Sequence, residues 1–217
     1  PISQVSPIGV RHDRIVQYDT TAWDMVLTRA AASGMVVTVE NGTVTVAPPD
    51  TSAPPVLELR YGESILSLNA TMDAATQFDA LSIENVAWDP ARQLVVASGR
   101  PSSSAQAPGD ISSAALASVF GVRSYPQTFA GDWSREALTR LASSALQTIQ
   151  LSKIRGTVAF FGSTLAKPGC MVRLAGLGAR FNGDAYVSAV RHTIADGDWR
   201  TEIDIGMPPL PPPGTAE

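Results

Sequence analysis

The dipeptide Asp196-Gly197 and the two stretches that flank it constrain the fold of this chain more than any other feature. Asp-Gly pairs favour the tight two-residue turns of β-hairpins, because both residues tolerate a positive φ. Residues 184–194 before it have the branched composition of a strand, and alternate residues of "WRTEIDIGM" after it are apolar. A hairpin is therefore predicted, whose second strand turns one row of side chains to a core and one to water or a partner. The core row is Trp199, Thr201, Ile203, Ile205 and Met207, and the polar row is Arg200, Glu202 and Asp204.

A second turn signal and a helix mark a small unit at the start of the chain. Thr21 followed by Asp24 is typical of a helix N-cap, and Gly34 suits the left-handed residue that ends a helix. The strand-like segments "MVVTV" and "TVTVA" then flank Asn41-Gly42, the pair that best fits a type I′ turn. The proline-rich "APPDTSAPP" follows and breaks the pattern. We therefore predict a helix plus β-hairpin unit over residues 1–50.

In residues 51–217, strand-like segments occur on both sides of a helical stretch. Branched residues fill much of 56–98 and 154–207, with turn signals between the segments. A modest helix is predicted at about 111–120, and a longer one in "DWSREALTRLASSALQTIQLSK", where apolar residues recur at intervals of three and four. These apolar residues are Leu138, Leu141, Ala142, Ala145, Leu146 and Ile149. The predicted fold class is α+β, mainly β: a barrel-like antiparallel domain over 51–217, interrupted by a helical segment at about 101–150, plus the small helix-hairpin unit.

Composition excludes several classes of partner. The chain has 217 residues, of which 44% are apolar and 17% charged, and its net charge is -4. A packed core is therefore expected, and the basic excess that non-specific nucleic-acid binding requires is absent. No run of 18 apolar residues is present, so no membrane-spanning helix is predicted. The single cysteine, Cys170, cannot form a disulfide within the chain and is interpreted as a small apolar side chain.

The residues that usually carry chemistry are scarce. Two histidines and one cysteine are too few for a zinc site, and the glycines match neither a phosphate loop nor a nucleophile elbow. His12 and Asp13 are sequence neighbours, whose side chains would point to opposite faces of a strand, so a surface charge cluster is the better interpretation. His192 lacks an identifiable nucleophile and orienting group. We predict no catalytic, cofactor-binding or metal-binding residues, which indicates a structural or binding component and not an enzyme.

Three long stretches of the chain resemble one protein family. The segment "VQYDTTAWDMVLTRAAASGMVVTVENGTVTVAPP" resembles a part of Vgr proteins and of phage late-control or baseplate-hub proteins, in which an aromatic-containing helix precedes a short hairpin. The segments "LELRYGESILSLNATMD" and "NVAWDP" resemble the next strands of that family. The stretch from Leu151 to Met207 resembles its last tube-domain strands, whereas residues 99–132 contribute little. Within the family, the chain is most similar to the Vgr of extracellular contractile injection systems.

This resemblance implies a mechanical role in a phage-tail-like contractile injection apparatus. Hubs of this family are trimers that join the inner tube to the spike, so it implies a homotrimer of the full-length protein, with inner-tube and baseplate proteins as partners. It also implies assembly in the cytoplasm and firing across a target envelope. In the family, another tube domain precedes the matching region, and a collar and spike follow it. The chain is therefore expected to be a fragment of the hub region.

The candidate site under this interpretation is an interface. The polar row of the last strand, together with polar residues on other strands, would line the lumen of a ring or the seam between subunits. The candidate residues are Arg173, His192, Arg200, Glu202 and Asp204. Two alternatives stay open: a module that binds peptidoglycan through the helix-hairpin unit, and a hydrolase that uses His192.

Overall fold

A computed structural model of the chain describes residues 2–6, 14–78, 80–86, 95–99, 107–121, 124–130 and 135–209. The strands in that part of the chain are β1 (Ile2–Val5), β2 (Val36–Glu40), β3 (Thr43–Ala47), β4 (Glu58–Arg60), β5 (Ile65–Met72), β6 (Ala80–Val86), β7 (Val95–Gly99), β8 (Ser124–Ala130), β9 (Ile154–Phe161), β10 (Met171–Ala175), β11 (Gly183–Ala195) and β12 (Asp198–Ile205). The helices are α1 (Ala22–Ala32), α2 (Ser113–Phe120) and α3 (Arg135–Leu151). The fold is α+β and mainly β, which confirms the predicted class.

The largest sheet has six strands in the order β4-β10-β11-β12-β9-β5, and it curls into a half-barrel. Its neighbouring strands are antiparallel except β10 and β4, which are parallel. β4 and β5 lie at opposite ends of this order, although only residues 61–64 separate them in sequence. Because five residue steps span at most ~18 Å, the two ends of the sheet must approach each other at this corner. The connectivity itself therefore requires the curl.

Apolar side chains on one face of this sheet form the main core. Alternation along the strands brings them to the same side, so that Val158, Ile203 and Val190 lie in one row across β9, β12 and β11. The buried members of the cluster are Leu59, Ile65, Ile154, Val158, Phe160, Ala166, Val172, Leu174, Ala185, Val187, Ile203 and Ile205. We call this side the inner face of the six-stranded sheet, and the opposite side its outer face.

The helix and hairpin at the start of the chain form as predicted. The Thr21 hydroxyl caps α1 by accepting a hydrogen bond from the Asp24 backbone N–H at 3.1 Å. Gly34, with φ of +67°, follows the helix, and its N–H donates to the carbonyl of Ala31 in the manner of a Schellman motif. Asn41 and Gly42 have φ of +49° and +75°, as a type I′ turn requires. β2 and β3 pair there, and β1 adds to β3 in parallel.

A third sheet and the two later helices occupy the stretch between β5 and β9. The sheet has the order β7-β6-β8, and α3 packs on β6 and β7. All six apolar residues predicted for the α3 stripe are buried. The described part of residues 73–153 contributes no strand to the six-stranded sheet, so the interruption begins before residue 101 and contains β6, β7 and β8 besides the helices.

Contacts across residue 50 join the helix-hairpin unit to the rest of the fold. Lys167 forms an ion pair with Glu40, and the Gln147 side-chain amide donates to the carbonyl of Pro49 at 2.8 Å. The division into residues 1–50 and 51–217 remains a prediction, and these contacts indicate how the two parts dock.

Candidate assembly interface

The hairpin of β11 and β12 projects beyond the half-barrel. Asp196 and Gly197 adopt φ of +53° and +79°, which confirms the predicted tight turn. β9 pairs with β12 only as far as Phe161 opposite Arg200, and β10 pairs with β11 only between Gly183 and Tyr186. The residues nearest the turn therefore belong to a two-stranded ribbon. Every residue from Arg191 to Arg200 is exposed.

Alternation on β12 matches the prediction at most positions. Thr201, Ile203 and Ile205 are buried on the inner face, whereas Trp199 on that face is 39% exposed because it lies where the ribbon leaves the core. The polar row of Arg200, Glu202 and Asp204 alternates with them on the outer face. Arg173 of β10 also lies on the outer face, opposite Asp184 of β11. The structure therefore brings four of the five predicted residues to one side of the sheet.

Ion pairs within the chain balance the charges on this outer face. Arg191 Nη1 lies 2.8 Å from Glu202 Oε1, directly across the ladder between β11 and β12. Arg200 Nη2 lies 3.0 Å from Asp198 Oδ2. These pairs are exposed, so each contributes little to the stability of the isolated chain. They give the outer face a fixed pattern of positive and negative charge.

Arg173 makes the most specific contact on this face. Its guanidinium donates to both carboxylate oxygens of Asp184, at 2.7 and 3.0 Å. This two-point hydrogen bond raises the pKa of Arg173 above its ordinary value, and the negative charges of Asp184 and Glu58 act in the same direction. Burial opposes that rise, although Arg173 is largely solvent-exposed. Arg173 and Asp184 lie at the end of β11 away from the turn, so they form the far end of the outer polar face.

Part of the outer face between Arg173 and the ribbon is covered. Met171, Tyr186 and Leu151 form a separate buried cluster there, at the end of α3. Met207 is partly buried against this cluster, so it does not continue the predicted core row of β12. Burial raises the pKa of the Tyr186 phenol to about 12, with smaller contributions from Cys170 and Asp50. This part of the face is already packed, so the surface available to a partner is the ribbon and the Arg173 end.

His192 lies on the inner side of the sheet, opposite the other four candidates. Its Nδ1 atom is 3.0 Å from Thr201 Oγ1, and its ring lies at a tilted angle to Trp199 with 6.0 Å between centroids. Strict alternation would put Ser188 on the same side, but a β-bulge between Val187 and Ala189 changes the phase of the strand. His192 therefore faces the side of the sheet opposite to Arg200, Glu202 and Asp204, and its place at an interface stays a prediction.

The imidazole of His192 lies next to a buried hydroxyl group. The only hydroxyl that the described residues place within hydrogen-bond distance of its ring belongs to Thr201, which has 0% exposure and cannot reach a substrate. That hydroxyl also accepts the backbone N–H of Ser163 at 3.1 Å. The Thr201 side chain therefore holds the loop after β9, and the imidazole completes its hydrogen bonds.

Two surfaces were missed from the sequence. Arg191 and Asp198 also belong to the outer polar face, where Arg191 pairs with Glu202 across the ladder and Asp198 pairs with Arg200 along the same strand. A second surface lies on α1 and the segment before it, where large apolar side chains are exposed: Ile15, Val16, Tyr18, Trp23, Val26 and Leu27. We call this the α1 surface. Its helical members Trp23, Val26 and Leu27 recur at intervals of three and four, and this spacing is the sequence signal for the surface.

Some expected features fall outside the described residues, among them His12 and Asp13. Within the described ranges, no group of three or more histidine, cysteine, aspartate or glutamate residues could hold a metal ion. The helices seen in those ranges are too short or too polar to cross a membrane. Burial raises the pKa of the Cys170 thiol, so the thiolate is disfavoured at this half-buried position.

Comparison with known proteins gives a family and a fold. Residues 2–196 match the family model described as the Alg8 N-terminal domain. No curated protein matches the sequence. Among solved structures, the chain is similar to the 43 kDa tail protein of prophage MuSo2 from Shewanella oneidensis, with 12% identity and a TM-score of 0.63 over 95% of this chain and 61% of that one.

The tail protein from Neisseria meningitidis MC58 is similar over 88% of this chain and 56% of its own, with 17% identity and a TM-score of 0.59. A chain in the virion of a native gene transfer agent particle has a TM-score of 0.51 and 11% identity, over 89% of this chain and 40% of that one. The chain thus spans little more than half the length of the two tail proteins. It shares the fold of phage tail proteins.

Proposed function

This chain belongs to the Alg8 N-terminal domain family and shares the fold of phage tail proteins, and we propose that it is a structural hub component of a contractile phage-tail-like injection apparatus. In this role it joins the inner tube to the spike as part of a homotrimer, and it contacts inner-tube and baseplate proteins. It carries no catalysis in this region. The proposal includes assembly in the cytoplasm and release or firing of the finished particle.

The outer polar face of the projecting hairpin carries this proposal. Its two ion pairs, Arg191 with Glu202 across the ladder and Arg200 with Asp198 along β12, present a fixed charge pattern on a ribbon that extends past its own barrel. A ribbon of this kind gains little from its own domain, because its tip contacts few neighbours. Its exposed position suits contact with the next subunit of an assembly or the wall of a lumen.

The shared fold supports a structural role without specifying a position in the particle. The tail proteins named above are long enough to carry further domains, and their sequence identities of 12% and 17% allow inference about the fold alone. The buried hydroxyl beside His192 argues against hydrolysis, because a nucleophile must reach its substrate.

An exchange of charges tests the role of the outer face. The double variant Arg191→Glu with Glu202→Arg keeps an ion pair within the chain but inverts the pattern that a partner meets. We expect the purified protein to keep its thermal stability and to lose incorporation into particles by at least about tenfold. The matched control exchanges Arg180 and Asp110, whose 3.2 Å pair lies on loops away from the hairpin. Normal particles from the first variant would contradict the proposal.

One observation favours a second candidate, a module that binds peptidoglycan. Tyr18 is 87% exposed and Trp23 46% exposed on the helix-hairpin unit, so two aromatic side chains are available for stacking on sugar rings. A pull-down with purified cell walls would test the candidate: retention of the wild type and loss with Trp23→Ala would support it, whereas equal recovery of both would exclude stacking at this position.

A further inference from the structure

Asn41 and Gly42 form the tip of the hairpin between β2 and β3, where both residues are exposed and have positive φ. Glu40 and Thr43 face each other as the last pair of the ladder, so they bond to each other and close a two-residue loop. The N–H of Gly42 lies inside that loop, beyond the ladder, and it donates no hydrogen bond in the described structure. An exposed and unpaired backbone nitrogen therefore lies next to the side-chain amide of Asn41.

The surroundings of this nitrogen are open. Apart from the adjacent residues, no heavy atom lies within 4 Å of the position that a Cβ on Gly42 would occupy. Glycine adds no side chain beside the nitrogen and leaves the backbone free to rotate. The Gly42 nitrogen can therefore approach Asn41 Cγ by rotation within the turn, without displacing another part of the fold, and water has access to the same atoms.

The backbone nitrogen of a second Asn-Gly pair, Asn182-Gly183, is engaged in a sheet. Gly183 is the first residue of β11 and lies opposite Leu174 of β10. The Val187 N–H donates to the carbonyl of Cys170 at 2.9 Å, and every second pair of an antiparallel ladder is hydrogen-bonded. Gly183 with Leu174 is such a pair, so its N–H is bonded within the sheet.

The asparagine of this second pair is held as well. The Leu177 N–H donates to Asn182 Oδ1 at 2.8 Å, which fixes the side-chain amide. The Asn182 N–H donates to the carbonyl of Gly178 at 3.0 Å, and its own carbonyl accepts the N–H of Gly109 at 2.8 Å. The same two residue types therefore occur once in an open turn and once in a closed network.

We propose that Asn41 is a site of spontaneous deamidation and isomerisation, from which the fold protects Asn182. In the first step the Gly42 nitrogen loses its proton and bonds to Asn41 Cγ, and the bond between Cγ and Nδ2 breaks to release ammonia. The product is a cyclic imide that joins the two residues. Water then cleaves one of the two bonds between the imide nitrogen and its carbonyl carbons.

The bond that water cleaves decides the product. Cleavage at Cγ gives aspartate at position 41 with an ordinary backbone. Cleavage at the main-chain carbonyl carbon of Asn41 gives isoaspartate, in which the chain continues through the former side chain. Over both steps water is consumed and ammonia is released, and no oxidant, reductant or cofactor takes part.

A third turn shows that open geometry alone is insufficient. Asp196 and Gly197 adopt the same positive φ at the tip of the hairpin between β11 and β12, and the space around Gly197 is equally open. The side chain there is a carboxylate, whose negative charge resists attack by a nitrogen nucleophile, whereas the amide of Asn41 is neutral. Asn41 therefore combines an open turn with the reactive side chain.

The isoaspartate product changes the hairpin that docks the helix-hairpin unit. It adds a carbon atom to the backbone of the turn, so the two-residue geometry that pairs Glu40 with Thr43 is lost. Glu40 forms the ion pair with Lys167, and the methyl group of Thr38 lies close to Gly169. Both contacts join β2 to the segment before β10. The modification therefore acts at the end of the strand that holds this unit against the half-barrel.

Peptide mapping by mass spectrometry tests the site. The complete folded protein is kept in mildly alkaline buffer, and conversion of amide to acid is followed at both Asn-Gly pairs. We expect Asn41 to convert at least about tenfold faster than Asn182, because Asn182 must first open hydrogen bonds of the fold. In urea the two rates should be similar, since glycine follows both residues. A ratio in the folded protein no larger than the ratio in urea would overturn the proposal.

A variant without the amide separates this reaction from other effects of incubation. Asn41→Gly cannot react and keeps a Gly-Gly pair that suits a type I′ turn, and Asn41→Asp reproduces the ordinary product in the same turn. After incubation we expect the wild type to be labelled by an isoaspartyl carboxyl methyltransferase and to lose thermal stability. Asn41→Gly should show neither change, and freshly prepared Asn41→Asp should match the stability of the fresh wild type.

The outcomes distinguish the reaction from its structural effect. Equal labelling of the wild type and Asn41→Gly would place the reactive residue elsewhere and overturn the proposal. Labelling of the wild type with unchanged stability would overturn the effect on docking, while the faster conversion at Asn41 would still identify the site.

Discussion

His192 Nδ1 lies 3.0 Å from Thr201 Oγ1 across the ladder between β11 and β12, and only the histidine of this pair is open to solvent. The Thr201 hydroxyl also accepts the backbone N–H of Ser163, so it links the hairpin to the loop after β9. We therefore expect the buried Thr201 to contribute more to the stability of the fold than His192 does. His192 contributes one exposed hydrogen bond and a ring contact with Trp199.

We predict that Thr201→Val destabilises the protein more than His192→Ala. The valine has the shape of threonine but leaves the Ser163 N–H without its acceptor, which costs about 1–3 kcal/mol in a buried site. Loss of the exposed imidazole should cost about 1 kcal/mol or less. Urea unfolding of both variants gives the comparison. A larger loss for His192→Ala would show that the imidazole, and not the hydroxyl, holds the loop.

Local signals predicted the turns and helix ends, because those structures depend on a few adjacent residues. Asn41-Gly42 and Asp196-Gly197 adopt positive φ, and Thr21 caps α1. The two-residue turn at Asp196-Gly197 also fixes the register of the hairpin, so that His192 lies opposite Thr201 and Arg191 opposite Glu202. The bulge between Val187 and Ala189 could not be predicted, and it changes the alternation of β11 beyond Val190.

The helices show a different limit of sequence analysis. The stripes of α1 and α3 have the same helical spacing, yet Leu138 and Leu146 of α3 are buried while Trp23 and Leu27 of α1 are exposed. Periodicity identifies an apolar face, but it does not identify what covers that face. The sorting of strands into three sheets was also beyond prediction, because pairs such as β5 with β9 are distant in sequence.

Docking of the helix-hairpin unit on α3 predicts a difference between two glycine substitutions. Gly34 and Gly42 both have φ near +70°, so alanine at either position meets the same backbone strain of about 1–2 kcal/mol. A Cβ on Gly34 would also collide with Ser144 of α3, whereas the space around Gly42 is open. We expect Gly34→Ala to cost about 1–3 kcal/mol more than Gly42→Ala in denaturant unfolding. Equal losses would indicate that residues 1–50 do not dock on α3 in solution.

The exposure of the α1 surface predicts that truncation of Trp23 costs less stability than truncation of the buried Leu138 on α3. Leu138 has 0% exposure, so Leu138→Ala should remove about 2–5 kcal/mol from the free energy of unfolding. Trp23 is half-exposed and buries a smaller share of its surface, so Trp23→Ala should lower the free energy of unfolding by only about 1 kcal/mol. Thermal or chemical unfolding of the two variants checks this. A loss for Trp23→Ala as large as that for Leu138→Ala would mean that the indole is covered in solution.

Lys153 predicts a dependence of stability on alkaline pH. The side chain is buried, and its Nζ donates to the Ile111 carbonyl at 2.8 Å, which tethers the segment before α2 to the end of α3. Burial lowers the pKa of Lys153 in the folded protein, although the negative charge of Asp110 opposes the change. Between that lowered pKa and the ordinary lysine value of about 10.4, the unfolded state binds more protons than the folded state. Stability from this group should therefore rise with pH in that window and stay constant below it.

The variant Lys153→Met isolates this contribution, because other titrating groups are common to both proteins. We expect the free energy of unfolding of the wild type, minus that of Lys153→Met, to increase as the pH is raised through the window below about 10.4. Urea titrations at several pH values measure the difference, and Lys167→Met, at an exposed lysine, serves as the control. A difference that is flat with pH, or that falls, would mean that Lys153 is solvated in the folded protein and that its tether to Ile111 does not persist in solution.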